Sequence, residues 1–315
     1  MIVKRNLSPT KVWGYIKPHI LYTIAVSFLV WVAFFLTQKK EIALSFVPIS
    51  LIGSALAIFV AFRNNSAYAR WWEARTLWGG IINSSRVLAR LIITLIDSHS
   101  HQANYNKRKS EFFKKELVYA CIGWAHSLRL QLRNQANVSE LKTFFNPEEF
   151  ASIESSFQKP NRIHLLIGNK IYQAMANGVL AGFDSVQLEG QLLSLANFQG
   201  GCERIKNTPL PRQYDFFTKV FVLVFATLLP FGLLGFFLTE TLIPFSWLVI
   251  PLSTLIAGVF IIMERTGAAN EDPFENLVTD VPLSAICNTI ERDLREMLGE
   301  KDLPEKLKPV DGYLF

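Results

Sequence analysis

The chain has 315 residues, of which half are hydrophobic, and a formal net charge of +6 at pH 7. Its mean hydropathy of +0.24 is high for a wholly soluble protein of this size. Three cysteines, Cys121, Cys202 and Cys287, are too few and too widely spaced for a disulfide framework or a zinc site.

The apolar residues gather in four stretches free of Asp, Glu, Lys and Arg: 21 residues between Lys17 and Lys39, 21 between Glu41 and Arg63, 20 between Lys219 and Glu240, and 23 between Glu240 and Glu264. A helix rising about 1.5 Å per residue covers a hydrocarbon core of about 30 Å in about 20 residues, so each stretch is long enough to span a bilayer. The first follows a basic start (Lys4, Arg5, Lys11, Lys17), but its apolar run is too long for the core of a secretion signal, and no small-residue cleavage pattern follows it. Four spans put both termini on one side. The positive-inside rule puts that side in the cytoplasm, because no acid precedes Glu41 and because Arg63, Arg70 and Arg75 follow the second span. In such a protein the positive charge belongs to the inner membrane face rather than to a nucleic-acid site.

The second span begins at Pro48 and contains Gly53, Ser54, Ala55, Ala57 and Ala61, small residues that allow helices to approach closely. Ser54, Ile58 and Phe62 stand four apart, hence on one face. Around a symmetry axis they form a ring of hydroxyls, then one of Ile, then one of Phe, and narrow apolar rings gate ions by dewetting. On periodicity alone the same spacing favours ordinary packing or lipid-facing positions. The aromatic and basic residues Tyr68, Arg70, Trp71, Trp72 and Arg75 suit the headgroup layer.

Between Arg63 and Tyr214 the pattern is that of soluble helices. Ile81, Val87, Leu88, Leu91, Ile92 and Leu95 recur at helical spacing. A second helix is expected over Phe112 to Arg133 and a third over Leu188 to Cys202, which ends near Gly200-Gly201. Asn134 to Pro160 reads as a polar loop region, with Asn146-Pro147 and Lys159-Pro160 as punctuation. The tail from Arg265 is charged and turn-rich, and Pro304, Pro309, Asp311 and Gly312 predict an end that is either an extended arm or disordered. No stretch alternates with period two, so the fold class is all-α: four transmembrane helices continuous with a helical cytosolic region. The expected segments are 1–78 (N-terminal segment and first two spans), 79–214 (cytosolic helices), 215–264 (last two spans) and 265–315 (cytosolic C-terminal segment).

Three blocks carry a resemblance. FRNNSAYARWWEARTLWG (Phe62 to Gly79) resembles the bestrophin family, its bacterial branch in particular. GGCERIKNTPLP (Gly200 to Pro211) and EDPFENLVTDVPLSAICNTIERDL (Glu271 to Leu294) are similar too and occur in the family's order. The likeness extends from about Trp13 to Leu303. It implies a homopentameric ion channel with one axial pore in the bacterial cytoplasmic membrane, passive conduction of monovalent ions, no cofactor and no enzymatic activity. Carried over position by position, the membrane neck is Ser54, Ile58 and Phe62. Ser54 stands where the family usually has a bulky apolar residue, which makes the outer end of the neck wetter. The cytosolic aperture falls on Phe183. Arg63 and Asp184 are the charged residues beside these constrictions. Arg63 favours anions, chloride first, if it faces the pore, and Asp184 favours the cation selectivity of some bacterial members. A non-conducting membrane scaffold is the alternative of a different class.

Animal bestrophins bind calcium through a run of acids after an Asn-Pro-Phe that corresponds to Asp272-Pro273-Phe274. Here only Glu271, Asp272 and Glu275 form a weak calcium-like turn, short of the six or more oxygens a hard cation takes. Calcium gating is therefore not expected. Gly168-Asn169-Lys170 lacks the spacing of a phosphate loop, and His99 and His101 lie in a polar loop without metal-ligand partners.

Overall fold

A computed structural model describes residues 1–5, 9–98, 100–101 and 105–315. His99 lies outside the described residues. The α-helices are α1 (Pro9–Thr37), α2 (Phe46–Leu95), α3 (Lys107–Leu132), α4 (Pro147–Glu154), α5 (Lys159–Ala176), α6 (Gly182–Asn207), α7 (Arg212–Phe236), α8 (Val249–Ala269) and α9 (Leu283–Met297). Among the described residues β structure is confined to two isolated bridges. Among the described residues four segments are long and apolar enough to cross a membrane, with mean hydropathies between 2.1 and 2.3: Ile16–Thr37, Lys40–Leu95, Arg212–Phe236 and Ile243–Ala269.

The chain forms two compact units. One comprises Lys4–Arg70 and Pro209–Glu271, the other Met1–Val3, Trp71–Thr208 and Asp272–Phe315, so the 50-residue α2 contributes to both.

In the first unit α8 packs against α1 and α7. Its core holds Val30, Phe34, Ile49, Leu56, Val60, Phe225, Leu229 and Ile261. Close helix approach needs small residues here. A Cβ on Gly53 would come within 2.8 Å of the Phe225 ring, and one on Gly267 would fall on the Asn64 amide oxygen. Asn64 in turn donates through Nδ2 to the Met263 carbonyl at 2.9 Å.

The second unit is built on α3, which packs against α5 and α9. Leu117, Val118, Cys121, Trp124, Ala125 and Leu128 are buried on it. The Trp124 indole donates to Gln199 Oε1 at 3.2 Å, and Gln199 Nε2 donates to Asn161 Oδ1 at 2.6 Å. The buried Trp124 of α3 and Gln199 of α6 thus satisfy each other, with the exposed Asn161 of α5 taking the Gln199 amide, which avoids the cost of an unmade hydrogen bond. All three cysteines are free and buried, and burial pushes each thiol up to about 12, so they stay protonated packing groups.

Two sequence expectations change. The stretch expected as a polar loop holds a 3-10 turn (Ser139–Thr143) and α4, which bury Leu141, Phe150 and Ile153. Asn146-Pro147 opens a helix there: Asn146 accepts from the Glu149 amide at 2.9 Å, and Pro147 fills the first helical turn. The C-terminal end is extended but docked. Tyr313 is buried, paired with Ile2 and Val310, and the Ala285 amide donates to the Phe315 carbonyl at 2.8 Å.

A titratable contact fastens α9 and the Ser139–Thr143 turn to α3. His126 on α3 has Nδ1 3.5 Å from Glu140 and Nε2 3.3 Å from Glu291, while Arg129 and Arg295 hold the same two acids. Burial and the Arg129 charge disfavour the imidazolium, but the two carboxylates outweigh them and raise the His126 pKa above its ordinary 6.5. A raised folded-state value stabilises below the unfolded value, and that contribution is lost as pH rises through the folded one. The Tm of the protein should therefore fall as pH rises above the ordinary histidine value of 6.5, and His126→Gln should flatten that slope, both read by tryptophan fluorescence. An unchanged slope in the variant would remove His126 from the account.

Candidate functional site: the exposed face of α2

Residues 46–70 of α2 show two faces. Ile49, Gly53, Leu56, Val60, Arg63 and Ala67 are buried at intervals of three and four, the helical repeat of a packed stripe. Val47, Leu51, Ser54, Ile58, Phe62 and Asn65 occupy the exposed side. The three residues expected at the neck therefore share an exposed face, with Ile58 60% and Phe62 71% accessible in the single chain. The apolar residues exposed there, in a helix long enough to cross a membrane, face lipid, another copy of the chain or a pore.

Ser54 carries its hydroxyl on this exposed side. Its hydroxyl donates to the Ser50 carbonyl one turn back at 3.0 Å, so its proton is engaged by its own helix and only its oxygen lone pairs face outward.

Arg63 requires a larger correction. It does not face the exposed side next to Phe62, because successive residues of a helix point about 100° apart, and Arg63 falls on the packed stripe. Its side chain is 2% exposed and lies among three carboxylates. Nη1 is 3.4 Å from Glu264 Oε1 and donates to the Glu264 carbonyl at 3.1 Å; Nη2 donates to Asp215 and lies 3.4 Å from Glu271 Oε2. A guanidinium has five donors in a planar fork and serves several acceptors at once, whereas a lysine ammonium would act as a point charge. Arg63 is thus a buried knot joining α2, α7, α8 and Glu271, two residues past the end of α8. It offers no cation to an exposed face.

Glu271 is accordingly not a loose ligand of a cation-binding turn. It faces Arg63 and also lies 3.8 Å from Arg212. In the second unit, Glu275 Oε1 accepts from Lys206 Nζ at 2.5 Å. Asp280 accepts from the Leu277 amide at 3.1 Å and is buried, which pushes its carboxyl up, and Trp71 Nε1 donates to the Thr279 carbonyl at 3.0 Å. Backbone and cation contacts organise this turn, and no cluster of three His, Cys, Asp or Glu among the described residues is arranged to hold a metal ion.

Phe183 is the second residue of α6 and is 81% exposed, so its ring is available to a neighbouring copy or to water. Asp184 beside it accepts from the Ser98 hydroxyl at 3.2 Å and is half-buried. Asp215 and Glu264, the partners of Arg63, escaped the sequence reading. The available signal was their position: each is an acid at the end of a span otherwise approached by cations.

Comparison with known proteins gives a consistent result. The sequence profile of the Bacterial/Fungal Bestrophin protein family matches residues 7–296. The chain is 34% identical over 272 residues to the voltage-dependent anion channel-forming protein YneE of Salmonella typhi, covering 86% of this chain and 83% of that one. It is 33% identical to a voltage-dependent anion channel-forming protein of Ralstonia nicotianae, over 84% of this chain and 80% of that protein. The crystal structure of a bacterial bestrophin homolog from Klebsiella pneumoniae superposes with a TM-score of 0.81 at 31% identity, covering 91% of this chain and all of that one.

Proposed function

The chain belongs to the bacterial and fungal bestrophin family, and from that premise we propose that it is an anion-conducting channel of the bacterial cytoplasmic membrane, assembled as a homopentamer with both termini in the cytoplasm. The observation that carries this reading is the exposed face of α2: Leu51, Ser54, Ile58 and Phe62 lie along it without a charge, while the opposite face is packed. Five copies around an axis bring those residues into rings. Ions cross the apolar rings of Ile58 and Phe62 partly dehydrated, and rings of this kind pass or block current by wetting and dewetting. Phe183 forms the cytosolic aperture.

Support for anions comes from what the relatives are named to do, since Arg63 is neutralised by its three acids. Asp184, one residue from Phe183, supports cation selectivity as the second reading. A potassium chloride gradient across a planar bilayer containing the purified protein separates them. The expected reversal potential lies toward the chloride equilibrium value. A value toward potassium overturns anion selectivity, and absence of current from an intact pentamer supports the scaffold alternative.

A further inference from the structure

We propose that the first unit carries an anionic phospholipid in a pocket between α1, α7 and α8, separate from the exposed face of α2. The inner-leaflet assignment rests on the orientation given under Proposed function; the pocket itself does not depend on conduction.

The cavity has a volume of about 200 Å³, and its wall changes character with depth. His19, Lys219 and Arg265 stand at one level of the three helices, each near the cytoplasmic end of its span. One turn further in on each helix come Tyr22, Leu223 and Ile261, and two turns in on α7 comes Ala226. At about 1.5 Å per residue the step from Lys219 to Ala226 is about 10 Å, the interval from a headgroup to the first methylenes of an acyl chain. Polar above and apolar below is the gradient of a lipid molecule, and a basic pocket of this kind between helices on the cytoplasmic side suits an acidic headgroup.

The acids nearby do not cancel this. Lys219 and Arg265 line the cavity as two cations against the one carboxylate Glu264, an excess of one positive charge; Asp215, which holds Lys219 at 2.6 Å, does not line it. The two signs are also sorted by depth of burial. Among the charged groups of the wall, Glu264 is 5% exposed, whereas Lys219 and Arg265 are 49% and 30% exposed. An approaching headgroup meets the cations. His19 lines the same wall, its Nε2 against the Arg265 guanidinium.

The test uses the full-length protein, stripped of lipid in detergent and then offered phosphatidylglycerol, phosphatidylcholine or inorganic phosphate, with retained lipid counted by native mass spectrometry. Phosphatidylglycerol should be retained in preference to phosphatidylcholine, and Lys219→Gln should reduce that preference about fivefold, the share of one cation near an anionic surface. Leu223→Trp, which narrows the apolar wall without touching charge, should reduce retention of both lipids. Equal retention of the two lipids by the wild type, an undiminished preference in Lys219→Gln, or competition by inorganic phosphate alone would each overturn the lipid assignment. Current recorded from the same preparation keeps the two proposals apart, because lipid preference can fail with conduction intact and conduction can fail with lipid preference intact.

Discussion

Arg63→Ala should cost about 3–5 kcal/mol of stability, because it leaves a set of largely buried carboxylates without the cation at their centre. Asp215 retains Lys219 at 2.6 Å and Glu271 retains Arg212 at 3.8 Å, but Glu264, 5% exposed, retains only the edge of Arg265 at 3.5 Å. At the size of this protein the loss corresponds to a fall in Tm of about 10 °C, measured by fluorescence-detected size exclusion after heating. Arg63→Lys should fall in between, since an ammonium carries the charge but cannot reach three carboxylates and the Glu264 carbonyl in one plane. The cluster also predicts its own rescue. In Arg63→Met/Glu264→Gln the most deeply buried acid is neutral, so the double variant should be more stable than the sum of its single variants allows. A Tm for Arg63→Ala within a degree or two of the wild type would mean that the knot is open in the assembled protein.

The same residue marks the boundary of what the sequence could tell. The four spans are legible because charge-free runs of about 20 residues have few other uses. The grouping of Ser54, Ile58 and Phe62 is legible because a helix repeats every 3.6 residues. The direction of Arg63 was half legible. The same periodicity that unites Ser54, Ile58 and Phe62 turns Arg63 toward Val60 and Ala67, yet its partners lie 152, 201 and 208 residues away, and no local pattern announces them.

A similar limit applied to the second unit. Asn146-Pro147 is both a turn signal and the opening of a capped helix, and only the buried Phe150 and Ile153 decide between them. α5 is readable from Ile163, Leu166, Ile167, Ile171 and Ala174 at helical spacing, although no separate element is assigned to that stretch from the sequence. Tyr313 shows the opposite case. It pairs with Ile2 at the other end of the chain as well as with the nearby Val310, and no local pattern announces that distant partner.

The neck reading makes the sharper prediction for function, because two substitutions on one exposed face should act in opposite directions. Phe62→Ala removes a ring that is 71% exposed in the single chain and makes little of the packed core, so folding should be preserved. If five such rings surround the pore, their loss widens and wets the constriction, and unitary conductance in planar bilayers should rise severalfold with weaker closure. Ser54→Ile should do the reverse. It replaces a hydroxyl already bonded to the Ser50 carbonyl with a third apolar ring, which raises the barrier to a partly dehydrated ion and lowers conductance. A lipid-facing helix would respond to neither change, since both positions would contact acyl chains whatever their size. If both variants assemble as the wild type does and pass the same unitary current, the exposed face of α2 does not line the pore, and the channel axis has to be sought along another helix.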